Sequence, residues 1–115
     1  MKTSERQVGD ITIIDVEGRI VFGDGEQDFR DAVTRAIEAG QVKLVINLAG
    51  VPYVDSAGIS QLVRTHVTTA NRGGRMKMLK LTRRVRELLT VTRLLTVMES
   101  FESEEDAIAS FKGPL

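Results

Sequence analysis

The segment VKLVINL, residues 42–48, is nearly continuous apolar sequence. A run of this kind is typical of a strand covered on both faces, as the central strands of parallel sheets are. Strand and helix patterns alternate along the rest of the chain, in the order β-β-α-β-α-β-α-β-α. This alternation predicts an α/β fold, in which helices pack on a parallel or mixed β-sheet and the crossovers are right-handed.

The sequence before this strand predicts a hairpin and a helix. ITIIDVEG, residues 11–18, is rich in β-branched residues, and Gly9-Asp10 fits a two-residue turn after a first strand at residues 4–8. The apolar period then becomes helical, and Gly40 stands where that helix would end. Its buried face is predicted to comprise Phe29, Ala32, Val33, Ala36 and Ile37.

A second helix is predicted to begin at about Ser56 and to end at the pair Gly73-Gly74. Its apolar stripe would comprise Ile59, Leu62, Val63, Val67 and Ala70. The connection that leads into it, residues 49–54, leaves the carboxyl end of the central strand. In α/β sheets this edge is where ligands and partners usually bind, so the start of the second helix is the place to look for function.

The remaining elements are two strands and two helices. MKMLKL, residues 76–81, predicts a strand, and Thr82 is the expected N-cap of a third helix. TVMESF, residues 96–101, predicts the last strand, and Ser103 to Asp106 matches a capping box at the start of the last helix. The apolar residues of these two helices are Val85, Leu88 and Leu89, and Ala107, Ile108 and Phe111.

Composition excludes several classes of function. The chain has 115 residues, which fits one domain covering residues 1–115, and its sixteen basic and sixteen acidic residues cancel. There is thus no electrostatic case for a nucleic acid or an anionic membrane as partner. The absence of cysteine excludes disulfides, thiolate metal sites and thiol catalysis. With no signal peptide pattern and no apolar run of membrane-spanning length, we expect a cytoplasmic protein.

The stretch YVDSAGIS, residues 53–60, places Asp55-Ser56-Ala57-Gly58 directly after an apolar segment. A turn, a catalytic serine and a serine recognised by other proteins are the three interpretations. Catalysis requires a base within hydrogen-bond reach, yet the one histidine, His66, lies ten residues along the same helix, roughly 15 Å away. We therefore expect no enzyme, and His66 is interpreted as an ordinary helix residue.

Two further motifs are interpreted as structural. GDGEQD, residues 23–28, has Asp28 where a dinucleotide loop needs its third glycine, and Phe29 where a calcium loop needs its turn glycine. Its acids suit the first turn of a helix, so we expect neither cofactor nor metal. The three arginines of TRRVRELL, at positions 83, 84 and 86, are interpreted as a solvated helix face.

The residues themselves leave two interpretations of Ser56 open. Either Asp55 or Ser56 caps the second helix and Gly58 allows close packing, or Ser56 is also a phosphorylation site. A phosphate adds about −1.5 to −2 charges. The nearest basic residue on that helix is Arg64, about two turns away, so no arginine clamp is expected and the phosphate would tend to repel a partner.

The sequence resembles the anti-sigma factor antagonists, which are built on the STAS domain. The similarity runs from ITIIDVEGRI through VKLVINLAGVPYVDSAGISQLV and NRGGRMKMLKL to RRVRELLTVTRLLTVMESFESEEDAIASF. The specific part is an apolar strand that ends in Asn-Leu, then a short loop, then Asp-Ser-small-Gly at a helix start. The resemblance implies a STAS-like mixed sheet and identifies Ser56 as the phosphorylation site.

The resemblance also implies a mechanism. The unphosphorylated protein would bind an anti-sigma factor that is also an ATP-dependent serine kinase, which releases a sigma factor, and phosphorylation would reverse this. A serine phosphatase is a further expected partner. The implied partner-binding residues are Asp24, Asp55, Ser56, Ala57 and Gly58. The alternative is a STAS interaction scaffold in a signalling or transporter-associated complex, with Ser56 only a helix cap.

Two positions depart from the family pattern. Ala57 stands where many members carry a second serine, which leaves the acceptor Ser56 in place. Val21 stands where many members have the aspartate of a Gly-Glu-Leu/Ile-Asp motif, and Asp24 follows in the loop FGDGE.

Overall fold

The computed structural model describes residues 1–112. In that range the helices and strands follow one another in the predicted order. They are β1 (Lys2–Val8), β2 (Ile11–Glu17), α1 (Glu26–Glu38), β3 (Lys43–Gly50), α2 (Ser56–Asn71), β4 (Arg75–Leu79), α3 (Arg83–Val91), β5 (Ser100–Phe101) and α4 (Glu104–Ala109). Short 3-10 turns at Leu94–Thr96 and Ser110–Lys112 follow α3 and α4. None of the helices in residues 1–112 is both long enough and apolar enough to cross a membrane.

The five strands form one mixed sheet in the order β1-β2-β3-β4-β5. β1 and β2 are antiparallel and joined by the predicted two-residue turn, because Val8 pairs with Ile11. The other pairs are parallel, and β3 lies at the centre, with Ile46 between Ile14 on β2 and Met78 on β4. The predicted α/β fold with a central strand is therefore confirmed.

The sheet is covered on both faces, which explains the unbroken apolar run of β3. Leu44, Ile46 and Leu48 belong to the main core with the buried residues of α1, α2 and α3. Val45 points to a second, smaller core that includes Ala107 of α4. Because side chains alternate along a strand, only a strand that is packed on both sides needs apolar residues at successive positions.

Lys77 on β4 is buried at the smaller core, with 2% of its surface exposed. It is the one buried charged residue among residues 1–112. Its ammonium group is paired with Glu99 and lies 5.9 Å and 5.4 Å from the ring centres of Phe101 and Phe111. Aromatic faces attract a cation, so the charge is compensated under α4 rather than left unpaired.

α2 buries only part of the predicted stripe. Leu62 is buried, and Ile59 and Val63 pack against the main core as expected, but Val67 is 47% exposed and Ala70 is also exposed. Polar residues take the buried positions, since the hydroxyls of Thr65 and Thr69 donate to carbonyl oxygens one turn earlier, at 2.8 Å and 2.9 Å. A threonine that satisfies its own hydroxyl in this way can pack its methyl group in the core, so apolar spacing alone missed these two buried positions.

Two predictions about the end of the chain need correction. The last strand covers Ser100–Phe101 only, because Thr96 ends a 3-10 turn and Val97 is 57% exposed. Thr82 does precede α3, but its hydroxyl donates to the Val51 carbonyl at 2.8 Å and does not cap the helix. The cap of α4 is as predicted, since the Ser103 hydroxyl accepts from the Asp106 N–H at 3.0 Å.

Candidate functional site

Asp55 is the N-cap of α2. One of its carboxylate oxygens accepts the backbone N–H of Gly58 at 3.0 Å, and its carbonyl accepts the N–H of Ile59 at 2.9 Å. Ser56 is the first helical residue, and its side chain is exposed. Of the two caps that the sequence left open, the fold uses Asp55, so the Ser56 hydroxyl is not required to start the helix.

The second carboxylate oxygen of Asp55 holds a loop from another part of the chain. It accepts the backbone N–H of Phe22, which lies between β2 and α1, at 3.0 Å. The N–H groups of Phe22 first and Gly58 second hold the pKa of the Asp55 carboxyl below its ordinary value, because both donate to the charged form. One ionised carboxylate therefore joins the Phe22 loop to the start of α2.

Gly58 allows this loop to lie against the helix. A Cβ at position 58 would overlap the carbonyl oxygen of Ile20. Two backbone hydrogen bonds complete the contact: the Ile20 N–H donates to Tyr53 at 3.2 Å, and the Asp55 N–H donates to Ile20 at 3.4 Å. Any larger residue at position 58 would push the two segments apart, so the glycine has the close-packing role that the sequence suggested.

Asp24 lies in the same loop, two residues after Phe22. The backbones of Val21 and Asp24 exchange two hydrogen bonds of 3.0 Å, which closes a tight turn. The Asp24 carboxylate pairs with Arg19 at 2.7 Å, and both side chains are more than half exposed. The structure thus brings the Asp24 turn and the segment from Asp55 to Gly58 together through Phe22. Of the five predicted partner-binding residues, Asp24, Asp55, Ser56 and Ala57 are at least partly exposed there, and Gly58 is buried beneath them.

The acids of the GDGEQD motif are directed to different partners. Asp24 pairs with Arg19, and Glu26 accepts from the Gln61 amide at 2.6 Å. Asp28 lies 3.9 Å from the terminal amino group of Met1. Glu26 and Asp28 occupy the first turn of α1, as predicted. Within residues 1–112 no group of three or more acids and histidines converges on a point where a metal could bind.

Two features of this surface escaped sequence reasoning. The Phe22 side chain is 82% exposed, although aromatic residues are scarce in this chain. The guanidinium of Arg84 lies 4.7 Å from the ring centre of Tyr53, in the loop that leads to Ser56. Tyr53 and Arg84 border a groove of about 650 Å³ with Leu88 and Val91 of α3. An exposed phenylalanine in a glycine-rich loop was the one available signal, since cation–π attraction between distant segments leaves no local pattern.

The arginines of α3 are therefore only partly a solvated face. Arg83 is exposed and pairs with Glu87 at 3.3 Å, one turn along the helix. Arg86 pairs with Glu102 before α4, and Arg84 contacts Tyr53. The interpretation holds for Arg83 and Arg84, which are both exposed, and Arg86 is the half-buried exception. Arg84 contacts Tyr53 as well, because the fold places the β3–α2 loop beside α3.

His66 and Ser56 do lie on one helix, ten positions apart. At about 1.5 Å per residue their backbones are roughly 15 Å apart, which is beyond any hydrogen bond. His66 is partly buried beside the start of β4 and Glu99. The carboxylate of the preceding residue, Asp55, already accepts two N–H groups, from Phe22 and Gly58. This arrangement suits recognition of an exposed hydroxyl better than activation of a nucleophile.

A family model described as STAS domain matches residues 3–107. The curated protein sequences contain no match. The fold is similar to that of a candidate anti-sigma factor antagonist from Thermotoga maritima, with 17% identity, a TM-score of 0.90, and coverage of 96% of this chain and 95% of that one.

Two further solved structures are similar. The unphosphorylated anti-sigma factor antagonist SpoIIAA of Bacillus shares 17% identity at a TM-score of 0.73, over 98% of this chain and all of that one. The murine anion transporter Slc26a9 shares 16% identity at a TM-score of 0.77, over 93% of this chain and 18% of the transporter. The TM-scores show that these structures share the fold of this chain. The family model covers most of the sequence. The chain therefore belongs to the STAS domain family.

Proposed function

We propose that this protein is an anti-sigma factor antagonist whose binding is controlled by phosphorylation of Ser56. In the unphosphorylated form it binds an anti-sigma factor with serine kinase activity, and this binding releases a sigma factor. The observation that carries the proposal is the exposed hydroxyl of Ser56 at the first position of α2, next to a cap that Asp55 provides alone. The hydroxyl is free to be modified without loss of the cap.

The surroundings of Ser56 suit a kinase substrate. The segment leaves the carboxyl end of β3, at the edge of the sheet, and the Ser56 side chain is exposed. Asp55 and Gly58 hold its backbone against the Phe22 loop through hydrogen bonds and close packing. A fixed backbone presents the hydroxyl in one geometry, which lowers the ordering cost when a kinase or a partner binds.

The charge of a phosphate provides the switch. It would add about −1.5 to −2 charges beside the ionised Asp55. The positive end of the α2 dipole tolerates an anion, so the fold is retained. At a desolvated partner contact, however, an added charge without a counter-ion weakens binding. Phosphorylation therefore acts on the interface and not on the core.

The same surface offers contacts for the partner. Phe22 supplies an exposed aromatic side chain of the kind that anchors protein interfaces. Asp24 supplies a carboxylate at the tip of its turn, and Ala57 is a small, half-buried neighbour of Ser56. We assign the partner contact to Phe22 together with Asp24, Asp55, Ser56 and Ala57. Gly58 is buried against Ile20 and supports this surface from inside the fold. The protein itself performs no catalysis in this scheme and acts in the cytoplasm, and a serine phosphatase resets it.

A second candidate function is an interaction scaffold within a larger assembly. The similarity to the fold within the transporter Slc26a9 favours it. In that case Ser56 is only the first residue of α2, and its modification has no role. The two candidates differ in what a negative charge at position 56 does to partner binding.

The test uses purified protein as bait in lysate of the source cells. Wild type, Ser56→Ala and Ser56→Asp are compared, with Ser60→Asp as the matched control, because Ser60 is also exposed and lies one turn further along α2. We expect an ATP-binding protein that Ser56→Ala captures and Ser56→Asp does not, and that phosphorylates the wild type at Ser56 in the presence of ATP. Mass spectrometry locates the phosphate.

Two results would contradict the switch. If Ser56→Asp captures the same proteins as the wild type, Ser56 does not control binding, and the scaffold function takes its place. If Ser60→Asp loses the partner as completely as Ser56→Asp, the effect is general surface charge and not the proposed site.

A further inference from the structure

Three arginine side chains line a groove between α1 and α2. The groove has a volume of about 630 Å³, and its lining includes Arg30 of α1, Arg64 of α2 and Arg72, the residue that follows α2. Cavities of roughly 300–1,000 Å³ are the usual size of small-molecule sites. The groove is lined by helix residues and does not include Ser56, Phe22 or Asp24.

The three guanidinium groups have no acidic partner in residues 1–112. Neither Arg30, Arg64 nor Arg72 lies within 4.0 Å of a carboxylate there, whereas Arg19, for example, pairs with Asp24 at 2.7 Å. A guanidinium carries five N–H donors in a planar fork that matches carboxylate and phosphate oxygens. Three guanidinium groups along one groove provide more N–H donors than a single surface ion pair uses.

Two acids on the same groove set a limit on the ligand. Asp31 and Glu38 also line it, so three positive and two negative side chains leave an excess of one positive charge. The Asp31 carboxylate already accepts from the Gln27 amide at 2.9 Å. A long polyanion would meet these acids, but a compact anion seated between the arginines would avoid them.

The uncharged part of the lining is mixed. Val33 and Ile37 are apolar, Thr34 and Thr68 contribute hydroxyls, and the buried Gln61 and Thr65 also form part of the lining. The Gln61 amide donates to Glu26 at 2.6 Å, and the Thr65 hydroxyl donates to the Gln61 carbonyl at 2.8 Å. These bonds hold the lining of α1 and α2 in place, so the groove is preformed and does not need to be ordered by a ligand.

We propose that this groove binds a small organic dianion, such as a phosphate monoester or a dicarboxylate, through Arg30, Arg64 and Arg72. Bidentate contacts from arginine to an oxyanion are among the stronger charge-assisted hydrogen bonds. This site is a second function of the domain, and it stands or falls independently of phosphorylation at Ser56.

The test is a titration of the isotope-labelled protein followed by nuclear magnetic resonance. Glycerol 2-phosphate and succinate are the two probes, added separately at low and then at physiological ionic strength. We expect saturable shifts of α1 and α2 amides around the groove with at least one probe. Arg64→Gln should weaken that binding roughly tenfold or more, because it removes a charged donor. The probe that binds assigns the dianion to the phosphate or the carboxylate class.

Arg35→Gln is the matched control, since Arg35 is an exposed arginine of α1 that lies outside the groove. It should change the affinity by less than about twofold, because exposed charges at a distance are screened. Arg30→Gln provides a second groove variant, and the spectrum of each variant reports whether it is folded. Absence of saturable shifts with both probes would overturn the proposal, as would equal weakening by Arg35→Gln and the groove variants.

Discussion

The centre of β3 and the start of α2 lie a few residues apart in sequence, yet different forces maintain them. Ile46 is fully buried between two layers, and hydrophobic contact holds it in place. Asp55 lies at the surface and acts through directed hydrogen bonds to Gly58 and Phe22. The comparison teaches that stability and recognition are separable here: substitutions in β3 should alter the free energy of unfolding, and substitutions at the start of α2 should alter the partner contact.

The largest effect is expected from Ile46→Ala. The substitution leaves a cavity in the main core and should lower the free energy of unfolding by about 2–5 kcal/mol. Chemical denaturation measures it, and Val67→Ala is the control, because Val67 is a partly exposed aliphatic residue of α2. The change at Val67 should stay within about 0.5 kcal/mol. If the two variants unfolded at the same denaturant concentration, β3 would not be a central part of the main core.

At Ser56 we expect substitutions to change the affinity for the partner and to leave the stability almost unchanged. Ser56→Asp should weaken binding to the captured partner about hundredfold, since it adds an unpaired charge to the contact. Ser56→Ala should bind constitutively, and both should melt within a few degrees of the wild type, because Asp55 provides the cap. Titration calorimetry against the partner measures the affinities, with Ser60→Asp as control. If Ser56→Asp bound the partner as tightly as the wild type, the start of α2 would not control recognition, and the proposed difference between the two regions would be wrong.

Asp55→Asn probes the link between the regions. An amide has one acceptor oxygen, so it cannot accept both the Phe22 and the Gly58 N–H groups as the two carboxylate oxygens do. The Phe22 amide should exchange its hydrogen faster than in the wild type, and the melting temperature should fall by less than for Ile46→Ala. Hydrogen exchange resolved by residue measures it. Unchanged protection of Phe22 would show that the carboxylate does not hold the loop.

The pH dependence of this variant follows from the lowered pKa of Asp55. A group whose pKa is lower in the folded state stabilises the fold fully above its unfolded pKa and loses that contribution as the pH falls through the folded value. The difference in stability between wild type and Asp55→Asn should therefore be constant near neutrality and shrink below the ordinary value of 3.8. Asp10 and Asp15, whose pKa values are also lowered, act alike in both proteins and cancel in the comparison. A difference that grows with acid would contradict this sign.

The smallest effect is expected at His66. His66→Gln should leave both the partner affinity and the melting temperature close to those of the wild type, because His66 is partly buried and lies about ten residues along α2 from Ser56. Calorimetry and thermal unfolding are the two measurements. A loss of binding in a folded variant would assign the histidine a role at the interface.

Local pattern was sufficient for much of the fold. The apolar run of β3, the Gly9-Asp10 turn and the apolar face of α1 each depend on neighbours in sequence, and each was predicted correctly. The residues whose burial was predicted wrongly depend on contacts that a local sequence pattern does not contain. The stripe of α2 was right for Ile59, Leu62 and Val63 but wrong for Val67 and Ala70. Thr65 and Thr69 are buried instead, because they satisfy their hydroxyls within the helix, which makes polar residues suitable for burial.

The candidate site divides in the same way. The sequence by itself determined that Ser56 follows an acid at a helix start beyond the central strand, because strand period, cap residues and glycine are local signals. Only the tertiary structure decided that Asp55 is the cap and also holds Phe22, 33 residues earlier in the chain, and that Arg84 lies over Tyr53. Hydrogen bonds and cation–π contacts between distant segments depend on where the sheet places its loops, and no periodicity in the sequence records that placement.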